Sequence, residues 1–251
     1  MSSSWIIGID WATQPANIGL CLAERSKDGL RVHSLCLGSD CSSPVDQLAE
    51  WIQELSGPIL LALDAPLGWP KSMGLRLYSH SAGEGIGVEA NRFFRRKTDE
   101  MVWKRLGKLP LEVGADRIAR AALSAVDMLE ELRGITRLGI PLAWNATEAE
   151  RVRVIEVYPA ATLLVSGASI RGYKRKSPEA ELKRESLSRG LEERIVLSSQ
   201  HHRLNRATDH LLDATVCAIA GDDFLGERCW SPEDQAESKK EGWIWVSKEG
   251  T

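Results

Sequence analysis

Two aspartates each close a run of aliphatic residues. Asp10 ends Trp5-Ile-Ile-Gly-Ile-Asp10, and Asp64 ends Ile59-Leu-Leu-Ala-Leu-Asp64. An ionised carboxylate in such surroundings is costly unless it is paired or holds a metal ion. Taken singly, either acid can instead begin a loop and hydrogen-bond local amides, as Asp does in turns. If the two runs are adjacent parallel strands, both acids reach one rim, beyond the carboxyl ends where such sheets bind ligands. Glu156, in Val152-Arg-Val-Ile-Glu-Val-Tyr158, shares a strand face with Val152, Val154 and Tyr158 by period-two alternation. It either pairs with a buried basic group or coordinates a cation. Asp213 is the one charge in the stretch from Leu211 to Ala220. Asp209 and His210 lie four and three residues earlier and so share its helical face. A purely dipole-driven role at a helix start suits Asp209 better than Asp213, which lies further in.

Four acids from two strand ends, a later strand and a closing helix can converge. Convergent oxygens suit Mg²⁺ or Mn²⁺, whereas zinc prefers nitrogen and sulfur. Two such ions about 4 Å apart can activate a water and stabilise the leaving oxygen of a phosphodiester. The pattern therefore predicts Asp10, Asp64, Glu156 and Asp213 as metal ligands, with Asp209 and His210 as auxiliary catalytic groups.

The elements that must position them can be read from periodicity and turn chemistry. Strands are predicted at Trp5 to Asp10, Asn17 to Ala23, Leu30 to Leu37, Ile59 to Asp64 and Val152 to Tyr158. Arg25 to Gly29 supplies a hairpin turn between the second and third. Ser43, Pro44 and Asp46 open a helix whose apolar face is Val45, Leu48, Ala49, Ile52 and Leu55. Further helices are predicted over Asp116 to Leu132, Pro178 to Leu191 and Asn205 to Ala220, and Trp243 to Val246 reads as a small edge strand. Short turns allow the first three strands to pair antiparallel, and helical crossovers make the next two parallel to the first. The expected architecture is an α/β domain spanning 1–251, with a mixed five-stranded sheet flanked by helices. An insertion at about 68–112 follows the fourth strand, Gly-rich near Ala82 to Gly87 and then basic and aromatic.

Several segments resemble the family called domain of unknown function 429. They are Gly8-Ile-Asp-Trp-Ala12, Leu63-Asp-Ala-Pro-Leu-Gly-Trp-Pro70, Arg96-Lys-Thr-Asp99, Ile155-Glu-Val-Tyr-Pro-Ala160, Leu212-Asp-Ala214 and Glu241-Gly-Trp-Ile-Trp-Val246. The likeness spans nearly the whole chain, and it implies an RNase H-like fold and a nuclease activity. A more distant similarity is to bacterial Holliday-junction resolvases of the RuvC type. His210-Leu-Leu-Asp213 resembles their closing helix, Asp10 their first-strand aspartate and Asp64 their fourth-strand acid, while Glu156 departs from that pattern.

Basic groups lie near these motifs. Arg92-Phe-Phe-Arg-Arg-Lys97, with Lys104, Arg105 and Lys108, interleaves charge with aromatics inside the insertion. Arg95, Arg96 and Lys97 can hold phosphates while Phe93 or Phe94 packs or stacks on a base. Asp99 either contributes to that site or is the counter-ion that positions Arg96. Arg171, Lys174, Arg175 and Lys176 form a second cluster, either a solvated face or, through Lys174, a substrate contact. His201-His202 falls in a polar loop and reads as carrying no chemistry, and the nine tryptophans read as packing.

Composition bounds the rest. At 251 residues, 43% hydrophobic and 27% charged, the chain can bury a large core. A net charge of −3 does not advertise a nucleic-acid binder, although local clusters matter more than the sum. Five cysteines without a CxxC pair suggest reduced thiols, and no segment reads as a signal peptide or a membrane span. A cytoplasmic protein with a nucleic-acid partner is the expectation. Two alternatives are an RNase H-like binding module without catalysis and an actin-like ATP-dependent phosphotransferase, the latter because Gly8-Ile-Asp also opens the phosphate loop of that related fold.

Overall fold

A computed structural model describes residues 3–114 and 116–248. The strands are β1 (Ser4–Asp10), β2 (Gly19–Ser26), β3 (Gly29–Leu37), β4 (Ile59–Asp64), β5 (Val152–Glu156) and β6 (Ile195–Val196). The helices are α1 (Pro44–Glu54), α2 (Lys71–Leu77), α3 (Ala90–Phe94), α4 (Lys97–Leu106), α5 (Asp116–Thr136), α6 (Pro159–Val165), α7 (Pro178–Gly190), α8 (Ser199–Ala207), α9 (Asp209–Leu225) and α10 (Gln235–Glu241).

The strands form one mixed sheet in the order β5-β4-β1-β2-β3-β6. β1, β2 and β3 pair antiparallel through short turns, and β4 and β5 are parallel to β1. The expectation of three antiparallel strands followed by two parallel ones holds for these five. The count does not: β6, two residues long, adds a sixth strand parallel to β3. A two-residue strand behind a charged helix carries no periodicity to detect. Trp243 to Val246, expected as an edge strand, makes only a single parallel bridge, between Ile244 and Glu156.

Apolar side chains cover both faces of the sheet. On one, Val45, Leu48 and Ile52 of α1 and Ala125, Leu129 and Leu132 of α5 pack on Ile7, Ile9, Leu61, Leu63 and Val154. On the other, α9 lies across Ile6, Leu60, Ala62 and Ile155 with Leu212, Ala214, Val216 and Ala218. Burial on nearly every side explains why α9 is apolar all round rather than amphipathic. Its close seat depends on glycine. A Cβ at Gly8 would lie 2.1 Å from the Ala214 carbonyl oxygen, and one at Gly19 would lie 2.1 Å from that of His210.

One predicted helix is divided. Asn205 to Ala220 was expected to run unbroken, but Thr208 adopts an extended conformation between α8 and α9, and its hydroxyl accepts from the His210 amide. Threonine is a favoured N-cap because its oxygen satisfies an amide that has no partner within the helix. His201 and His202, expected in a loop, instead lie inside α8, whose start Ser198 caps by accepting from the His201 amide. In the 68–112 segment are α2, α3 and α4, and Phe93 is buried edge-on against Phe94. Among the described residues no helix is long and apolar enough to cross a membrane.

Candidate metal centre

β1 and β4 end together because their ladder is in register: Trp5 pairs with Ile59 and, five residues on, Asp10 pairs with Asp64. Register partners in a parallel ladder point to the same face, here the one covered by α9. The glycine-mediated approach of α9 brings Asp213 to that rim. Asp10, Asp64 and Asp213 each offer a carboxylate oxygen, all within 4.8 Å of one another. Asp213 is fully buried and Asp10 nearly so.

Each acid has partners that orient it. His210 Nδ1 lies 2.8 Å from Asp10 Oδ2. This bond holds the imidazole pKa above its ordinary value, with the nearby acids adding to the effect. The Tyr173 hydroxyl donates to Asp213 Oδ1 at 2.8 Å. Asp213 Oδ2 lies 2.6 Å from Lys174 Nζ, and no other protein group reaches it. Burial raises the pKa of all three carboxyls: Asp213 to about 6, Asp64 well above the usual range with Asp10 adding repulsion, and Asp10 less strongly against the His210 bond. The same cluster draws the Lys174 pKa upward against the desolvation of its ammonium, Asp213 being the largest upward contributor. Such crowding of buried acids disfavours three simultaneous negative charges without a cation among them.

The cluster opens into a cavity of about 480 Å³ lined by Asp10, Asp64, Lys108, Tyr158, Lys174 and Arg175, among others. Burial and the nearby acids push the Tyr158 hydroxyl up to about 12, so it stays protonated and able to donate. A second cavity, also about 480 Å³ and sharing Arg175 with the first, is lined by Asn17, Arg175, Lys176, Thr208, Asp209 and His210.

Glu156 takes the first of the two roles its sequence context left open. Its partner in the β4 ladder is Leu63, whose side chain packs on the opposite sheet face from Asp64. There both of its oxygens are held by Arg96, Nη2 to Oε1 at 2.7 Å and Nη1 to Oε2 at 2.9 Å. The Leu67 amide donates to Oε2 as well, at 3.0 Å. Asp99 completes the group by accepting from the Arg96 amide and its guanidinium. Arg96 is 1% exposed and Asp99 likewise, so they form an internal hub, with Arg96 and Glu156 also bordering the cavity that Asp10 and Asp64 line. Glu241 extends the hub by accepting from the Lys71 and Lys97 amides, tying α10 to α2 and α4.

The remaining predicted residues separate. Lys174 is brought to the acids, whereas Arg95 pairs with Glu112, and Lys97 lines a different cavity with Trp230. Asp209 opens α9 beside His210 but stands outside the three-carboxylate group. Tyr173 was missed. Its one signal was a tyrosine within a basic run, since a buried phenol needs a polar partner.

Three oxygens this close, one of them a buried acceptor whose one partner is the Lys174 ammonium, fit a hard divalent cation, whose oxygen ligands lie at roughly 2.0–2.6 Å. No curated protein and no solved structure matches the chain. Residues 8–237 match the family described as protein of unknown function DUF429, and the chain belongs to that family.

Proposed function

We propose that this chain is a divalent-metal-dependent nuclease built on an RNase H-like sheet, hydrolysing phosphodiester bonds of nucleic acid. The observation that carries the reading is the meeting of Asp10, Asp64 and Asp213 from β1, β4 and α9, with carboxylate oxygens within 4.8 Å of one another. These three would hold Mg²⁺ or Mn²⁺. Bound there, such ions supply Lewis acidity and lower the pKa of water. The protein's own contribution is orientation and charge. His210 fixes one Asp10 oxygen and Tyr173 one Asp213 oxygen, so the opposite oxygens are directed inward. Outer-sphere hydrogen bonds of this kind tune ligand basicity and position. Lys108 and Arg175 give the cavity positive charge for phosphate oxygens. Asp10 lines one cavity and its partner His210 the other, with Arg175 common to both, which would give a polymeric substrate room beyond the acids.

The test uses purified protein with end-labelled single-stranded, duplex and branched DNA and RNA. Cleavage should require Mg²⁺ or Mn²⁺ and disappear in Asp10→Asn and Asp213→Asn. Cleavage at the wild-type rate in Asp10→Asn, or none on any substrate while Mn²⁺ is bound, would sink the reading.

A further inference from the structure

We infer that Lys174 is the resident counter-ion of the carboxylate cluster, and that a divalent cation must displace its ammonium to bind. The inference rests on the proposed metal site. Tyr173 already occupies Asp213 Oδ1. The oxygen left for a cation is Oδ2, and that is the atom Lys174 touches at 2.6 Å. The contact is a short charge-assisted one, and no other protein group reaches Oδ2. A divalent cation carries twice the charge of the ammonium, so the same oxygen attracts it more strongly.

The side chain has somewhere to go. It is 52% exposed and enters the cluster from the cavity side. Its four-carbon stem can swing without backbone movement. The Tyr173 ring, with its centroid 5.6 Å from Nζ, holds the ammonium near the acids by a cation–π contact. Two cations on one carboxylate oxygen repel strongly at that range. Occupancy by Lys174 and by a metal ion is therefore exclusive, and Lys174 lowers the affinity of the site.

Arg175 is the control. It lines the same cavity one residue away, and its guanidinium has no ion-pair partner among the described residues. If Lys174 acted only through the field of a nearby charge, Arg175→Met would mimic Lys174→Met.

Mn²⁺ affinity is measured by paramagnetic resonance of the free ion in the wild type, Lys174→Met, Lys174→Gln and Arg175→Met, with melting curves confirming folding. Both Lys174 variants should bind Mn²⁺ at least about tenfold more tightly than the wild type. Arg175→Met should stay within about twofold, its charge being further away and screened by solvent. Unchanged or weaker binding in the Lys174 variants, or an equal gain in Arg175→Met, overturns the counter-ion role while leaving the metal site intact. Absence of Mn²⁺ binding in every form overturns both.

Discussion

Asp10 and Asp64 are register partners across the parallel β1–β4 ladder, so two acids that are 54 positions apart in sequence point to the same face of the same rim. Neither is followed by a basic residue that could neutralise it: Trp11 and Ala65 come next. The fold therefore concentrates negative charge at a point where burial already penalises it, and cations must answer for the difference.

Asp64→Asn should for that reason stabilise the metal-free protein. Burial and the neighbouring Asp10 hold the Asp64 carboxyl pKa well above its ordinary value, so a neutral isostere relieves repulsion. At pH 7.5 without divalent ions the variant should melt higher by a few degrees, each kcal/mol being worth about 2–4 °C in a chain of this size. The further rise that saturating Mn²⁺ gives the wild type should vanish in the variant. A variant that melts lower than the wild type without metal, or retains the Mn²⁺ increment, contradicts this account.

The pH dependence has a definite sign. Asp213 titrates near 6 in the fold against an unfolded value of 3.8. The folded state binds this proton more tightly, so the stabilisation is full below about pH 4 and is lost as pH rises through about 6. The loss is on the order of 3 kcal/mol. Asp213→Asn removes the titration. The melting temperature of the variant relative to the metal-free wild type should climb between pH 4 and 7, and a flat difference would refute the assignment. Protons and metal compete for the same oxygens, so Mn²⁺ affinity of the wild type should strengthen over the same interval.

Much of this site was legible before any coordinates. Asp10 and Asp64 stood out because each closes an aliphatic run, and Asp213 because it is the sole charge in the apolar stretch of α9. What alternation cannot supply is the pairing between strands. Glu156 was rightly placed on the face of Val152 and Val154, but only the ladder shows that this face is opposite to Asp64. The Arg96–Glu156 contact joins residues 60 positions apart, and no local pattern announces it. The Thr208 break was hidden for a different reason: a helix ending and another starting at one capping residue leave the periodicity nearly continuous. The wide separation of Tyr173 from Asp213 concealed their bond likewise.

Gly8→Ala tests how α9 delivers Asp213. The added methyl would sit 2.1 Å from the Ala214 oxygen and 2.6 Å from the Ala218 nitrogen, and both are backbone atoms that cannot step aside. Relief requires α9 to lift from β1 and take Asp213 with it. Overpacking of this kind costs about 1–3 kcal/mol and at times more. Denaturant unfolding should show at least that loss, and calorimetry should show weaker Mn²⁺ binding in whatever folded protein remains. Wild-type stability together with wild-type affinity would mean that the helix does not depend on the glycine for its seat.

The Arg96–Glu156 hub separates structure from ligation. Arg96→Met leaves Glu156 and Asp99 without their shared cation in a buried setting. Removing one partner of a buried pair typically costs about 3–5 kcal/mol, whereas replacing the set with apolar groups of similar volume is often far milder. The triple variant Arg96→Met, Glu156→Leu, Asp99→Leu should thus recover much of the stability that Arg96→Met loses, as read by urea unfolding. If Glu156 serves only this hub, folded Glu156→Gln should bind Mn²⁺ as the wild type does, because the amide can still accept from the guanidinium through its oxygen. A loss of Mn²⁺ affinity on the scale seen for Asp64→Asn would instead return Glu156 to the set of ligands, and would require Arg96 to release it when the ion binds.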